Sequence, residues 1–254
     1  MPTLGVIVYL TKSGRHGSYG RDSMMLLRRS LGHLFDNYNR VQRDDVLLMH
    51  FGDVNRADQA SVLPICHGTC RWLELPPAVR TVPSHIVRSR WVQPFRFSVG
   101  YRHMIRLFAI ELWDVVAARG YEYVMRLDDE SRILSPIPYN LFEYMRQRNL
   151  VYGFRLASYE RGHGNEFHGR VRGYLVRHSI EPRWLLHSCV SRNVANFSFD
   201  NCGDLYGFYN NFFISHVPFW RQQRVRAFLD WVNASGVAHL CMIWCTAGFE
   251  GVPR

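Results

Sequence analysis

In the stretch Tyr121-Glu122-Tyr123-Val124-Met125-Arg126-Leu127-Asp128-Asp129-Glu130, an apolar run ends abruptly on three acids. Tyr121 to Leu127 has the composition of a strand, so the acids stand at its carboxyl end. Ligands of α/β sheets bind beyond the carboxyl ends of strands, which makes this the expected place for chemistry. Three neighbouring carboxylates repel one another, and holding them together costs free energy unless a cation or several donors are present. A hard divalent cation, bound by one or two carboxylates and completed by ligand oxygens, resolves the repulsion. The plain alternative is an exposed acidic turn, since aspartate is favoured in turns. Arg126 adjoins the cluster, although alternation along a strand also allows it to face the other side.

Upstream, Leu4-Gly5-Val6-Ile7-Val8-Tyr9-Leu10 is a continuous apolar run that fits a buried strand of a parallel sheet. Met24 to Phe35 has helical spacing, and Val46 to Phe51 is a second apolar run, so the chain opens as a strand, helix, strand unit. Gly100 to Arg119 reads as a helix stopped by Gly120. Downstream of the acids, Pro138 to Arg148 reads as a helix and Leu150 to Leu156 as a strand. Phe208 to Val217 reads as a buried aromatic segment and Arg221 to Trp231 as a helix. Residues 60–98, with five prolines, read as loops with short pieces of structure, and 160–205 resist assignment. The expected class is α/β, with a mostly parallel central sheet flanked by helices and one domain over 1–254. At 254 residues and 47% hydrophobic, the chain is large enough for one sizeable core.

The formal charge is +10, yet Lys12 is the single lysine and the arginines are scattered. That pattern argues against a nucleic-acid module, which clusters its basic residues; its plain reading is a coding bias toward arginine, and its functional reading is one or two guanidinium clamps on a phosphate. Six cysteines admit up to three disulfides without fixing the pairing. Cys66/Cys70 and Cys241/Cys245 also invite a zinc reading, but their spacing is wider than usual and the flanks lack knuckle glycines. Asn196-Phe197-Ser198 and Asn233-Ala234-Ser235 are glycosylation sequons. No targeting segment or run long enough to span a bilayer is visible.

Four stretches carry a resemblance to the fungal Golgi α-1,2-mannosyltransferases of glycosyltransferase family 15. Ser98 to Arg106 is similar to S-x-G-Y-R-H-M-x-R-F, and Tyr121 to Glu130 to Y-D-Y-Y-W-R-V-E-P-D. Leu150 to Leu156 resembles T-Y-G-F, and Phe208 to Ile214 resembles F-W-S-N-F-E-I, followed by Phe219-Trp220-Arg221. More loosely, Arg29-Ser30-Leu31 through Asn39 resembles an early R-S-I-R…F-N helix.

The resemblance implies a GT-A fold and a GDP-mannose donor. It also implies Mn²⁺, retention of configuration, a glycan or glycoprotein acceptor, and a Golgi or secretory location. By position it implies Asp128 and Glu130 at the metal. Tyr9, Arg102, His103, Arg126 and Asp128 would lie on the donor side. By their own chemistry, Asn210 and Asn211 suit contacts to a sugar hydroxyl or backbone caps in a turn, and Trp220 suits stacking on a sugar ring or a place in the core. Phe213 stands where the family has the glutamate of N-F-E-I, and phenylalanine cannot supply a carboxylate to an anomeric carbon. Ile243 to Ala247 lacks the acid of the family's R-W-G-D-A, and the family's later metal-ligating histidine has no counterpart before Arg254. Glu160 and Asp200 remain as candidates for the missing catalytic carboxylate. The alternative is a non-catalytic GT-A-like binding or scaffold protein.

Overall fold

The apolar run that opens the chain forms β1 (Gly5–Leu10), whose side chains are almost wholly enclosed. The computed structural model describes residues 4–16, 21–82, 84, 99–160, 165–181, 189–190, 204–208 and 211–235. After β1, a two-stranded ribbon of β2 (Arg15–His16) and β3 (Arg21–Asp22) leads into α1 (Ser23–Leu34). The Asp22 carboxylate caps α1 by accepting from the Met25 N–H at 3.0 Å. A π-helical turn, Phe35–Asn39, and the short α2 (Arg40–Gln42) continue the helix before β4 (Asp45–His50). Next come α3 (Arg56–Val62), a 3₁₀ turn at Leu63–Cys66, β5 (Cys70–Glu74) and a second 3₁₀ turn at Pro77–Arg80.

The expected helix near residue 100 is α4 (Val99–Arg106), a π-helical turn Leu107–Glu111 and α5 (Leu112–Ala117). Gly120, at φ 81°, ends this run in the left-handed region that glycine adopts without steric cost. The acid-bearing strand is β6 (Tyr123–Leu127), followed by α6 (Leu141–Gln147), β7 (Tyr152–Phe154) and β8 (Ala157–Glu160). The remaining elements are α7 (Asn165–Arg177), β9 (Cys189–Val190), β10 (Asp204–Phe208), β11 (Phe212–His216), α8 (Val217–Trp220) and α9 (Gln223–Ala234).

One domain is the sequence expectation; the folded chain divides into two compact units. The first comprises Met1–Val82, Glu111–Gly153 and Asn211–Gln222, and the second Pro83–Ile110, Phe154–Asn210 and Gln223–Arg254. The first is built on a six-stranded sheet of order β5-β4-β1-β6-β11-β7. Neighbours β5, β4, β1 and β6 are parallel, and β11 runs antiparallel to β6. The fold is thus α/β with a mostly parallel sheet.

Alternation along the strands sorts their side chains onto two faces. Ile7, Tyr9, Val46, Leu48, Tyr123, Met125, Leu127 and Ile214 pack with Leu27, Leu31, Leu34 and Phe35 of the first helix, and with Phe142 and Met145 of α6. At the start of β1 only glycine fits, since a Cβ on Gly5 would come within 2.5 Å of the Phe142 ring. The other face carries Arg126 and Phe213, with Trp113 of α5 and Trp220 of α8. In the second unit, Tyr174 of α7 packs on Phe228 and Trp231 of α9, and β8-β10-β9 form a three-stranded antiparallel sheet.

Several elements went unread in the sequence, β5 and α7 among them. Strand β5 lies at the sheet edge, where only Cys70 is fully buried, so its pattern has no sustained apolar run. Over the part of α7 whose side chains are described, 169–177, Val171, Tyr174 and Leu175 are buried among arginines and glycines. Cys66 and Cys70 are joined by a disulfide, which consumes the thiolates that a zinc site would need. Cys241, Cys245 and the Asn196 sequon lie outside the described residues.

Candidate functional site

Strand β6 ends at Leu127, and the next three residues are the acids. The turn is stitched to its neighbour β11. The Asp128 N–H faces the Asn211 carbonyl at 3.4 Å and the Ser131 hydroxyl at 3.2 Å. The Ser131 hydroxyl in turn donates to the Asn211 carbonyl, and the Ser131 N–H closes the turn on the Asp128 carbonyl at 2.9 Å. The acid loop is therefore fixed by backbone bonds at both ends of its tight turn.

Arg126 and Asp128, two residues apart, share a face of the strand. The buried Arg126 guanidinium donates Nε and Nη2 to Asp128 Oδ1 at 3.0 and 2.8 Å. A charge-assisted pair of this kind fixes the carboxylate's orientation as well as its charge. Among the described residues, Asp129 has no such cation. Burial, then the charges of Asp128 and Glu130, push its pKa up to about 7, against a smaller opposing effect from backbone N–H groups. Glu130 is exposed. Among the described residues, no three His, Cys, Asp or Glu side chains are grouped so as to hold a metal by themselves. The carboxylates still match the oxygen donors that Mn²⁺ or Mg²⁺ prefers, and such ions commonly complete their shell with phosphate and water oxygens. A cluster that drives one of its own acids toward neutrality is short of positive charge, and its oxygen donors are of the kind that a divalent cation takes.

Tyr9 is fully buried on the opposite face of the sheet from Arg126, with its hydroxyl 3.0 Å from Ser30 Oγ. Burial, with smaller contributions from the Asp129 and Asp128 charges, raises the Tyr9 phenol. Trp220 is buried as well: its ring stacks on Trp113 at 4.4 Å and its Nε1–H donates to Ser215 Oγ at 2.6 Å. Phe213 pairs directly across from Arg126 in the β6–β11 ladder. Its ring is 1% exposed, 5.5 Å from Tyr152 and 6.2 Å from Trp113. The position thus holds a packed aromatic core residue where the resemblance led one to look for a carboxylate.

Arg126, Asp128 and the Asn211 backbone come together in the first unit. Arg102 and His103 are buried neighbours on α4 in the second unit, where Glu160 ends β8 opposite Leu205. Asp200 and Asn210 lie outside the described residues. Sequence reasoning missed the roles of Asn37 and Ser131 at this loop. Asn37 Nδ2 donates to the Ile133 carbonyl at 2.7 Å, and its own carbonyl accepts from the Ile137 N–H at 2.8 Å. The available signal was two polar residues, Ser30 and Asn37, seven positions apart along that helix.

The fold and site can be set beside known proteins. The chain is 23% identical over 225 residues to the probable mannosyltransferase KTR3 of Saccharomyces cerevisiae, covering 83% of this chain and 54% of that protein. It is 23% identical over 224 residues to glycolipid 2-alpha-mannosyltransferase 2 of Candida albicans, covering 83% and 47%. The chain therefore spans about half the length of these curated relatives. Among solved structures, core-mannan synthase A of Aspergillus fumigatus in its Mn/GDP form superposes with a TM-score of 0.79 at 15% identity, covering 95% of this chain and 67% of that one. The mannosyltransferase Ktr4p of S. cerevisiae in complex with GDP gives 0.74 at 17% identity, covering 94% and 63%. At these identities the superpositions speak for the fold alone. The family profile described as glycolipid 2-alpha-mannosyltransferase matches residues 27–245, and the chain belongs to that family.

Proposed function

We propose that this chain is the donor-binding part of a mannosyltransferase that moves mannose from GDP-mannose to a glycan or glycoprotein acceptor, with a divalent cation and retention of configuration. The observation that carries the reading is the acid loop at the carboxyl end of central strand β6, in a chain whose family profile spans both units. The Mn/GDP form of core-mannan synthase A supports the nucleotide and metal. A cation on Asp128 and Glu130 would offset the negative charge that builds on a departing diphosphate. Arg126 holds Asp128 in one orientation from behind, and the Ser131–Asn211 bonds hold the loop's backbone. Arg102 and His103 are proposed donor-side residues, with Asn210 and Asn211 toward the acceptor. Phe213 supplies no carboxylate, so Glu160 and Asp200 remain the acids to test for that role. The disulfide Cys66–Cys70 supports maturation in an oxidising, secretory compartment. Among the described residues, no helix is long and apolar enough to cross a membrane.

Burial of Phe213 favours a second reading, a binding protein that retains the nucleotide site without transfer. GDP release from GDP-mannose, measured with and without Mn²⁺ and with a mannoside acceptor, separates the two. Metal-dependent release that is lost in Asp128→Ala is the expected result. GDP binding without release selects the second reading, and absence of both rejects the donor site altogether.

A further inference from the structure

Ser30 lies on the buried side of α1, 2% exposed, and its hydroxyl donates to the backbone carbonyl of Ser131, just after the acids. A serine hydroxyl carries one proton, and a carbonyl can only accept. With Ser30's proton committed to Ser131, the Tyr9 hydroxyl must be the donor in the Tyr9–Ser30 bond. The bonds therefore run in one direction, from the phenol of β1, through the α1 serine, to the acid loop. Asn37, seven residues after Ser30 and within the π-helical turn, grips the same loop two residues further on, at Ile133. Such turns recur where a helix must aim a group at a functional site.

We infer that Tyr9, Ser30 and Asn37 are positioning residues for the acid loop: they set the placement of Asp128, Asp129 and Glu130 from the opposite face of the sheet to Arg126. The Tyr9–Ser30 bond is buried and the Ser30–Ser131 and Asn37–Ile133 bonds are part-buried, and each ends on a loop carbonyl or on the hydroxyl that feeds one. Tyr9 acts from the fully buried end of this chain, which gives it a role without direct contact with a donor. The functional part of the inference rests on the proposed GDP and metal site; the anchoring part stands without it.

The test compares Ser30→Ala, Tyr9→Phe and Ser30→Thr in the full chain. One arm is amide hydrogen exchange of peptides over 128–137, and the other is calorimetric binding of GDP with Mn²⁺. Ser30→Ala should speed exchange in that segment by about fivefold to tenfold, the equivalent of one lost hydrogen bond, and weaken GDP binding by a similar factor. Tyr9→Phe, which leaves the Ser30–Ser131 bond in place, should have a smaller effect of the same kind, and Ser30→Thr, which keeps a hydroxyl, should restore both readouts. Exchange that is unchanged, or that rises evenly along the chain with a fall in global stability, overturns the anchoring. A loosened loop with undiminished GDP affinity overturns the positioning role. If the unsubstituted protein binds no GDP, the proposed function fails, and the exchange arm by itself upholds or overturns the anchoring.

Discussion

Asp44, buried, and Asp129, half-buried, are acids of the same unit, and they are treated in opposite ways. Asp44, 4% exposed, accepts from the Tyr38 hydroxyl at 2.8 Å and from Asn140 Nδ2 at 3.1 and 3.2 Å. Its backbone N–H and carbonyl are both bound by the Asn39 side chain at 2.9 Å. Burial still raises its pKa, but these bonds work against the rise. For Asp129, burial first and then the charges of Asp128 and Glu130 raise the pKa to about 7, with only backbone N–H groups opposing. An acid that supports the fold is surrounded by donors, whereas the acid after β6 is left beside other acids.

The largest effect is expected at Asp44. Asp44→Ala strands the Tyr38 hydroxyl and the Asn140 amide in the interior and should cost about 2–4 kcal/mol in denaturant unfolding, with Asp44→Asn costing less. A loss under 1 kcal/mol would erase the contrast between the two acids, on the usual price of a stranded buried group, roughly 1–3 kcal/mol.

Asp129 should behave with the opposite sign. Its folded pKa, about 7, lies above the unfolded value of 3.8, so the folded state binds more protons between those limits. Stability therefore falls as pH rises through that window, and the penalty is complete above about pH 7. Asp129→Asn should be more stable than the parent by about 1–2 kcal/mol at pH 8, with the gain gone below pH 4. Thermal melts of the pair across pH 4–8 would expose a flat difference, which would show that the like charges are already compensated. The smallest effect belongs to Asp36, an exposed acid paired with Arg40 at 2.8 Å. Asp36→Ala should change stability by less than about 0.5 kcal/mol, which sets the zero of the comparison.

The legible part of the molecule was its buried parallel strands. β1, β4 and β6 are enclosed on both faces, so their sequences are continuous apolar runs, and the acids after β6 break that run visibly. The illegible parts depend on pairings that sequence does not encode locally. Ser30 and Ser131 are separated by 101 positions, and nothing near either one announces the other. Alternation left open which way Arg126 faced; the two-residue step to Asp128 on one face of the strand brings them together. Phe213 was legible as a departure from a motif, but its place between Tyr152 and Trp113 required the sheet order. The separation into two units left no mark in composition, because three segments of chain interleave to build each one.

The π-helical turn at Phe35–Asn39 has a consequence for lineage and for engineering. Such a turn is equivalent to one residue inserted into an α-helix, and each residue of a helix accounts for about 100° of rotation. Deleting a single residue there would regularise the helix and improve its local hydrogen bonding, yet swing Asn37 away from the azimuth that it shares with Ser30. The extra residue is thus a phase shifter. Chains related to this one should tolerate substitutions on the exposed side of that helix, but a one-residue deletion in it should uncouple its two ends.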